Sequence, residues 1–339
     1  MRIEAFSEGK NLDAPDANED QFLILPGRGL AVIDGVTDRT GHRYEGMLAG
    51  RIASRTVQQA VAALLTNAAG GVDGATVVAT ASSAIRGAYE RYGILDVARA
   101  DPTRRFGATL ALAVEQERAW RFVLVGDSGL RLNGSELWVN DTGLDLITAS
   151  LRQEAYRVVA AAGGTPADQA RVGRACAFHG AASMHPDMAP WIDAGALAAL
   201  RDRCAERCGK QFPHVPDADI LRLLDGGIMT GQGQFQNNTA SPLSYAVLDG
   251  FDVPMPLVRV IDRPRDSVRS IELFTDGYFM PGATPDVAAW EAAFAEVERV
   301  DAEKLDRYPS VKGTTGRVRA DDRTVVIALL PAAQGLSAP

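Results

Sequence analysis

Seven acidic residues of this sequence share one kind of place: each stands where an apolar run starts or stops. Residues 30–34 (LAVID) end in Asp34-Gly35, 120–125 (WRFVLV) are followed by Gly126-Asp127, and 270–275 run into Asp276-Gly277. Asp321-Asp322 leads into 324–330 (TVVIALL), and Glu19-Asp20 precedes 21–25 (QFLIL). A buried, unpaired carboxylate is costly, and carboxylates brought together repel unless cations sit between them. If these run ends converge, their oxygen-only ligands suit hard divalent ions such as Mg²⁺ and Mn²⁺. Two such ions about 3.5–4 Å apart can activate a water and polarise a phosphoryl oxygen. Any single Asp-Gly pair is also ordinary turn chemistry, so the weight lies on the set and its order.

The apolar runs read as strands, and the segments between them are what must hold the acids in place. Residues 21–25 and 30–34, separated by Pro26-Gly27-Arg28-Gly29, make a hairpin signal. Residues 108–114 and 120–125 flank a charged turn, and 130–132 and 136–139 bracket Asn133-Gly134-Ser135. Further on, 257–261 and 270–275 are strand-like around the charged turn 262–266. Helical spacing marks 50–67 through Ile52, Val57, Val61 and Leu65, and 75–92 through Val78, Ala81, Ile85 and Ala88. It marks 285–300 through Val287, Trp290, Phe294 and Val297, while 148–162 and 193–208 read as further helices and 231–241 as a loop. Strands linked mostly as hairpins, with helices between, predict antiparallel sheets with helices packed outside, an α+β layered domain.

Bulk composition narrows the function classes. With 339 residues, 46% apolar and 23% charged, the chain can build a substantial core. Its net charge of −8, from 35 basic and 43 acidic residues, argues against a nucleic-acid partner. No run approaches the roughly 20 apolar residues of a membrane helix, so no membrane role is expected. The opening MRIEAFSEGKNLDAP has neither the basic start nor the apolar run of a signal peptide. Cys176, Cys204 and Cys208 are too few and too clustered for a disulfide framework. The expected location is a reducing cytoplasm.

In order, the acid-bearing pieces resemble the metal-dependent protein phosphatases, the type 2C serine/threonine phosphatases. Asn18-Glu19-Asp20 is similar to that family's opening Asn-Glu-Asp, and 31–35 (AVIDG) to its strand ending in a metal-bridging Asp-Gly. Residues 50–54 (GRIAS), Gly107-Ala108-Thr109, Val125-Gly126-Asp127-Ser128 and Phe274-Thr275-Asp276-Gly277 resemble the motifs that follow. Residues 321–326 (DDRTVV) resemble the closing Asp-Asn-x-Thr-Val-Val. The resemblance implies a central sandwich of two antiparallel β-sheets flanked by helices, in a single domain over 1–332. It places a variable flap or insertion at about 163–245, and 333–339 reads as a disordered tail. It further implies two divalent cations, Mn²⁺ or Mg²⁺. Asp34 would bridge them, the Gly35 carbonyl would touch the second, and Asp276 and Asp321 would complete the first site. Glu19 and Asp20 would hold waters or ligate, and Asp127 would support a third, weaker cation. The implied reaction is hydrolysis of phosphoserine and phosphothreonine in proteins by metal-bound hydroxide. The implied partner is a phosphoprotein, a kinase or a kinase target.

Two departures qualify that reading. The family's phosphate-gripping Arg would fall at Pro15, and the segment after Asp34-Gly35 is longer than the family's Gly-Gly-His. Arg39, His42 and Arg43 are candidates for the missing phosphate contact, as are Arg104 and Arg105, because guanidinium forks suit phosphate. The alternatives are a catalytically weak or inactive relative serving as a regulatory binding module, and a phosphatase of small phosphoesters. Cys176-x-x-His179 has zinc-like spacing, yet Cys204 and Cys208 continue the apolar stripe of Leu197 and Leu200, which fits buried thiols.

Overall fold

The computed structural model describes residues 1–37, 39, 41–68 and 70–331. The tail expected at 333–339 lies outside the described residues. Two compact units are present among the described residues: 1–140 with 246–296 and 321–331, and 141–245 with 297–320.

The first unit contains two five-stranded sheets, and every pairing in them is antiparallel. One sheet runs in the order β10 (Arg259–Pro264), β7 (Ala119–Val125), β6 (Ala108–Glu115), β3 (Gly29–Gly35), β2 (Gln21–Leu25). The other runs β1 (Arg2–Glu8), β12 (Arg323–Leu329), β11 (Ser270–Phe274), β8 (Gly129–Leu132), β9 (Glu136–Trp138). Alternation along each strand sends successive side chains to opposite faces. Leu30 and Val32 of β3, Ala111 and Ala113 of β6, and Phe122 and Leu124 of β7 meet Leu130, Ile271, Leu273, Val326 and Ala328 between the sheets.

The opposite faces are covered as well. Ala31, Ile33, Leu110, Leu112, Val123 and Val125 pack under α1 (Ala49–Asn67) and α2 (Gly74–Arg91). On the far side Phe274, Val325 and Ile327 pack against Trp290, near the start of α8 (Val287–Asp301), with Phe294 beside them. The expected sandwich flanked by helices is therefore present. Strands buried on both faces read as continuous apolar runs, which is why 108–114 and 324–330 carry so little polar alternation. Packing, not capping, holds α1: its N-cap, Leu48, makes no side-chain cap bond. A cap contributes about 1 kcal/mol, whereas Ile52, Val57, Val61 and Leu65, all buried, contribute roughly 1.5–3 kcal/mol each. A short helix, α3 (Leu95–Ala100), and a two-stranded ribbon, β4 (Arg43–Tyr44) with β5 (Met47–Leu48), complete this unit.

Within the second unit, α4 (Leu144–Ala161), α5 (Pro166–His179), α6 (Ala194–Gln211) and α7 (Asp217–Gly226) share one apolar core. The stretch expected as a flap or insertion, 163–245, lies inside this unit. Cys176, Cys204 and Cys208 are buried in that core. Burial pushes the Cys176 thiol up to about 12 and Cys204 up to about 11, so these thiols behave as small apolar groups. His179 stacks flat on His185, ring centroids 4.2 Å apart. Residues 227–234, in part expected as loop, wind into a wide π-helical turn (Gly227–Gly231) and then a tight 3₁₀ turn (Gln232–Gln234) after α7. No helix among the described residues is long and apolar enough to cross a membrane.

Candidate functional site

Antiparallel pairing decides where the acids go. The start of β2 pairs with the end of β3 (Gln21 with Ile33), the end of β3 with the start of β6 (Asp34 with Thr109), and the start of β6 with the end of β7 (Leu110 with Val125). Glu19-Asp20, Asp34 and Asp127 thus share one edge of that sheet. In the other sheet the end of β1 pairs with the start of β12 (Glu8 with Arg323), and the end of β11 with β12 and the start of β8 (Phe274 with Val325 and Gly129). Asp276, Asp321 and Asp322 share that edge.

Hydrogen bonds tie the two edges together. Thr275 Oγ1, at the end of β11, donates to Asp20 Oδ2 at 2.8 Å. Asp322 accepts from the backbone N–H of Lys10 at 2.6 Å and of Glu19 at 3.3 Å. The same Thr275 hydroxyl accepts from the Thr324 N–H at 2.9 Å, which fixes its rotor and so the Asp20 side chain.

Crowding of like charge shows in the acid strengths. Burial, followed by the charges of Asp276, Asp20, Asp321 and Asp127, holds the Asp34 carboxyl well above the usual carboxylate range. Asp20 is pushed up to about 7, first by burial and then by Asp322. Four of the other predicted acids therefore act on Asp34, and Asp321 also acts on Glu19. Glu19 is fully buried, and burial raises its pKa although Lys10 pulls it down. Glu19 Oε1 and Asp20 Oδ1 are buried without a hydrogen-bond partner among the described residues.

Lys10 was not foreseen. Its ammonium stands 3.0 Å from Asp321, 3.3 Å from Asp322, 3.4 Å from Glu19 and 2.9 Å from Thr37 Oγ1. Thr37 in turn donates to Glu19 at 3.0 Å. Burial lowers the Lys10 pKa, but the three carboxylates outweigh it and hold the group above the ordinary lysine value. A single Lys after Gly9 carries no local signal. The clue was Asp322, a carboxylate where the resembling pattern has Asn, which adds a negative charge that needs a partner.

Gly35 and Gly50 set the floor of the site. A Cβ on Gly50 would lie 2.5 Å from Glu19 Oε1 and 2.7 Å from the Gly35 carbonyl oxygen. Close backbone approach at this point requires glycine.

The predicted phosphate contacts fall in different places. Arg39 is a half-buried turn residue after β3, and His42 is exposed, its ring edge-on to Tyr44 at 4.5 Å. Arg43 lies on β4 and donates to the Gly46 carbonyl at 2.9 Å. Arg105 pairs with Asp249 at 3.1 Å and lies over the Phe251 ring at 3.9 Å. That makes Arg105 a structural tie.

The donor set fits a hard divalent cation: carboxylates in mutual repulsion, two orphaned buried oxygens, and a glycine carbonyl. As the side chains stand, no group of three or more His, Cys, Asp and Glu among the described residues is gathered to hold a metal ion. Glu19, Asp321 and Asp322 are engaged by Lys10 instead.

No family model matches the chain, and no curated protein does. Among solved structures the chain is similar to the serine/threonine phosphatase PstP/Ppp of Mycobacterium tuberculosis, at 19% identity over 97% of this chain and 98% of that one, TM-score 0.45. The catalytic domain of PstP in complex with two manganese ions is similar at 18% identity over 97% of each chain, TM-score 0.45. The serine/threonine phosphatase Stp1 from Staphylococcus aureus is similar at 14% identity, over 98% of this chain and 95% of that one, TM-score 0.43. With identity and TM-score this low, what those proteins do is not carried over by likeness.

Proposed function

We propose that this chain hydrolyses phosphoserine and phosphothreonine in proteins with divalent cations held at the converged acids. The observation that carries the reading is the meeting of Asp34, Asp276, Asp20, Asp321 and Asp127 at the edges of two sheets. Asp34, the Gly35 carbonyl, Asp276 and Asp321 would hold two cations, Mn²⁺ or Mg²⁺, with Asp20 beside them and Asp127 supporting a third, weaker one. When bound, such a cation supplies Lewis acidity, making water a stronger nucleophile near neutral pH and polarising a phosphoryl oxygen.

The chain's own groups do the rest. Thr275 fixes Asp20, while Thr37 and Lys10 fix Glu19. Glu19 and Asp20 would hold waters or ligate and serve as proton acceptors, a role supported by the upward push of burial on both carboxyls. Lys10 brings positive charge to the acid edge, where Pro15 has none to offer, and would be a candidate contact for the substrate phosphate if a cation displaced it from Asp321 and Asp322. Arg39 and Arg43 are the next candidates, and an unchanged KM for a phosphopeptide in Arg39→Ala and Arg43→Ala excludes them as contacts of the phosphate itself.

A second reading, a regulatory binding relative without turnover, is favoured by the Lys10 ammonium already seated on Glu19, Asp321 and Asp322. Mn²⁺-dependent hydrolysis of p-nitrophenyl phosphate and of a phosphothreonine peptide separates the two. Turnover of the peptide supports the phosphatase reading. Turnover of p-nitrophenyl phosphate alone points to small phosphoesters, and Mn²⁺ binding without turnover of either selects the regulatory reading.

Gly50→Ala probes the floor of the site. The added methyl displaces Glu19 and the Gly35 carbonyl, at an overpacking cost of about 1–3 kcal/mol. Calorimetry is expected to show Mn²⁺ affinity reduced about tenfold in a variant whose circular dichroism matches the wild type. Unchanged affinity excludes the Gly35 carbonyl and Glu19 from the cation site.

A further inference from the structure

A cleft of about 320 Å³ opens beside the acid edge, with Arg43, Arg51, Arg55 and Met47 in its wall and Asp16 and Glu45 also lining it. Three guanidiniums face this one space. Among the described residues their bonds go to two backbone carbonyls and a thioether rather than to a carboxylate. Each is braced through one terminal nitrogen: Arg43 on the Gly46 carbonyl, Arg51 on the Asn18 carbonyl, Arg55 on Met47 Sδ at 3.8 Å. A braced guanidinium loses less freedom when it grips an anion in its fork.

The ribbon that carries Arg43 is anchored from behind. Tyr44 is buried against Tyr92 and Phe106, ring centroids 5.5 and 4.9 Å away. Alternation along β4 then turns Arg43 away from the core. Local energetics do not explain the other two arginines. Arg51 and Arg55 are four apart on α1, where like charges repel by a few tenths of a kcal/mol. They occupy its first turns, which contain no acidic residue although the helix dipole favours acids there. A placement that costs locally and is braced only by a carbonyl and a thioether, with no carboxylate partner among the described residues, points to an anion from outside.

The cleft also adjoins the candidate site. Arg51 holds the carbonyl of Asn18, the residue before Glu19, and Ser54 on the next turn of α1 holds the carbonyl of Glu19 itself. We infer that this cleft binds an acidic side chain flanking the phosphorylated residue of a protein substrate, so that the chain selects phosphosites in acidic segments. The inference rests on the phosphatase reading for its substrate, while the cleft's preference for acidic peptide can be measured without turnover.

The test uses two labelled phosphothreonine peptides, one flanked by Glu and one by Gln, and the full chain. Fluorescence anisotropy in Mn²⁺ buffer is expected to show the Glu-flanked peptide binding about tenfold more tightly, with the preference collapsing at high salt. Arg43→Glu with Arg55→Glu is expected to abolish or invert the preference. Arg43→Gln with Arg55→Gln serves as the milder pair, checked by thermal melting, should the reversals fail to fold. Equal binding of the two peptides by the wild type, or a preference that survives both variant pairs, overturns the proposal. If the Glu-flanked peptide binds selectively but neither peptide nor p-nitrophenyl phosphate is turned over, the cleft stands and the phosphatase reading falls. If both peptides are turned over with one KM, the reverse holds.

Discussion

Asp34→Asn is expected to abolish phosphatase turnover and, in chelator, to make the protein more stable. Turnover falls because Asp34 is the carboxylate on which Asp276, Asp20, Asp321 and Asp127 all act. If Asp34 is the central ligand as proposed, its loss is expected to lower kcat on the order of 10³-fold, the scale seen when a group stabilising transition-state charge is removed. Stability rises for the same reason. An acid whose folded pKa is raised is harmless to the fold at low pH, where it is protonated in both states. Its penalty then grows as pH climbs from the unfolded value near 3.8 toward the raised folded value. An amide at this position has no charge to bury at any pH. In EDTA the gain is therefore expected to be small near pH 4 and to reach at least about 2 °C in Tm near pH 8, on a scale of roughly 2 °C per kcal/mol for a chain of this size. Excess Mn²⁺ is expected to reverse the order, since it stabilises only the protein that binds it. A lower Tm for the Asp34→Asn variant than for the wild type, in EDTA at pH 8, would falsify the crowding of charge at this position.

Lys10→Met tests the opposite partner. Removing one member of a buried charge group leaves the others uncompensated. Lys10 faces Asp321, Asp322 and Glu19 with 20% of its side chain exposed. Discounting for that exposure, the loss in chelator is expected to be about 2–3 kcal/mol. Met keeps length and apolar stem, so the effect reports charge. The carboxylates released by the substitution are then open to a divalent ion. Apparent Mn²⁺ affinity is expected to rise about tenfold, and saturating Mn²⁺ to restore much of the lost Tm. Weaker Mn²⁺ binding in the variant shows instead that Lys10 does not compete with the cation. If Lys10 also holds the substrate phosphate, KM for a phosphopeptide rises in the same variant even when Mn²⁺ is saturating.

Most of the sandwich was legible because its strands are buried on both faces. Apolar runs such as 108–114 and 324–330 are too short for buried helices, and the charged turn after 114 and the acidic pair 321–322 before 324 mark their ends. β1 was not legible. It is an edge strand with Ile3, Ala5 and Phe6 among charged residues, and its partner is β12, more than three hundred positions away. Likewise α5 and α7 were missed, since α5 buries few large side chains and α7 is ten residues long. The helices packed under the β6–β7–β3 face were read nearly to their ends, because Val57, Val61, Ala81 and Ile85 repeat at helical spacing over many turns.

Local pattern is enough to name the acids and to say that each sits at a strand end, because alternation, turn chemistry and the Asp-Gly step act over a few residues. It cannot say which strand ends meet. That is set by the order of strands in two sheets, through contacts between Asp20 and Thr275 or between Lys10 and Asp321 that lie hundreds of residues apart. The fold therefore assigned Lys10 and Asp322 to the acid edge and gathered Arg43, Arg51 and Arg55 around one cleft. Arg105, a candidate by residue type alone, was drawn away to Asp249 and Phe251. Charge acts through space rather than along the chain, and only folding determines which charges are near enough to matter.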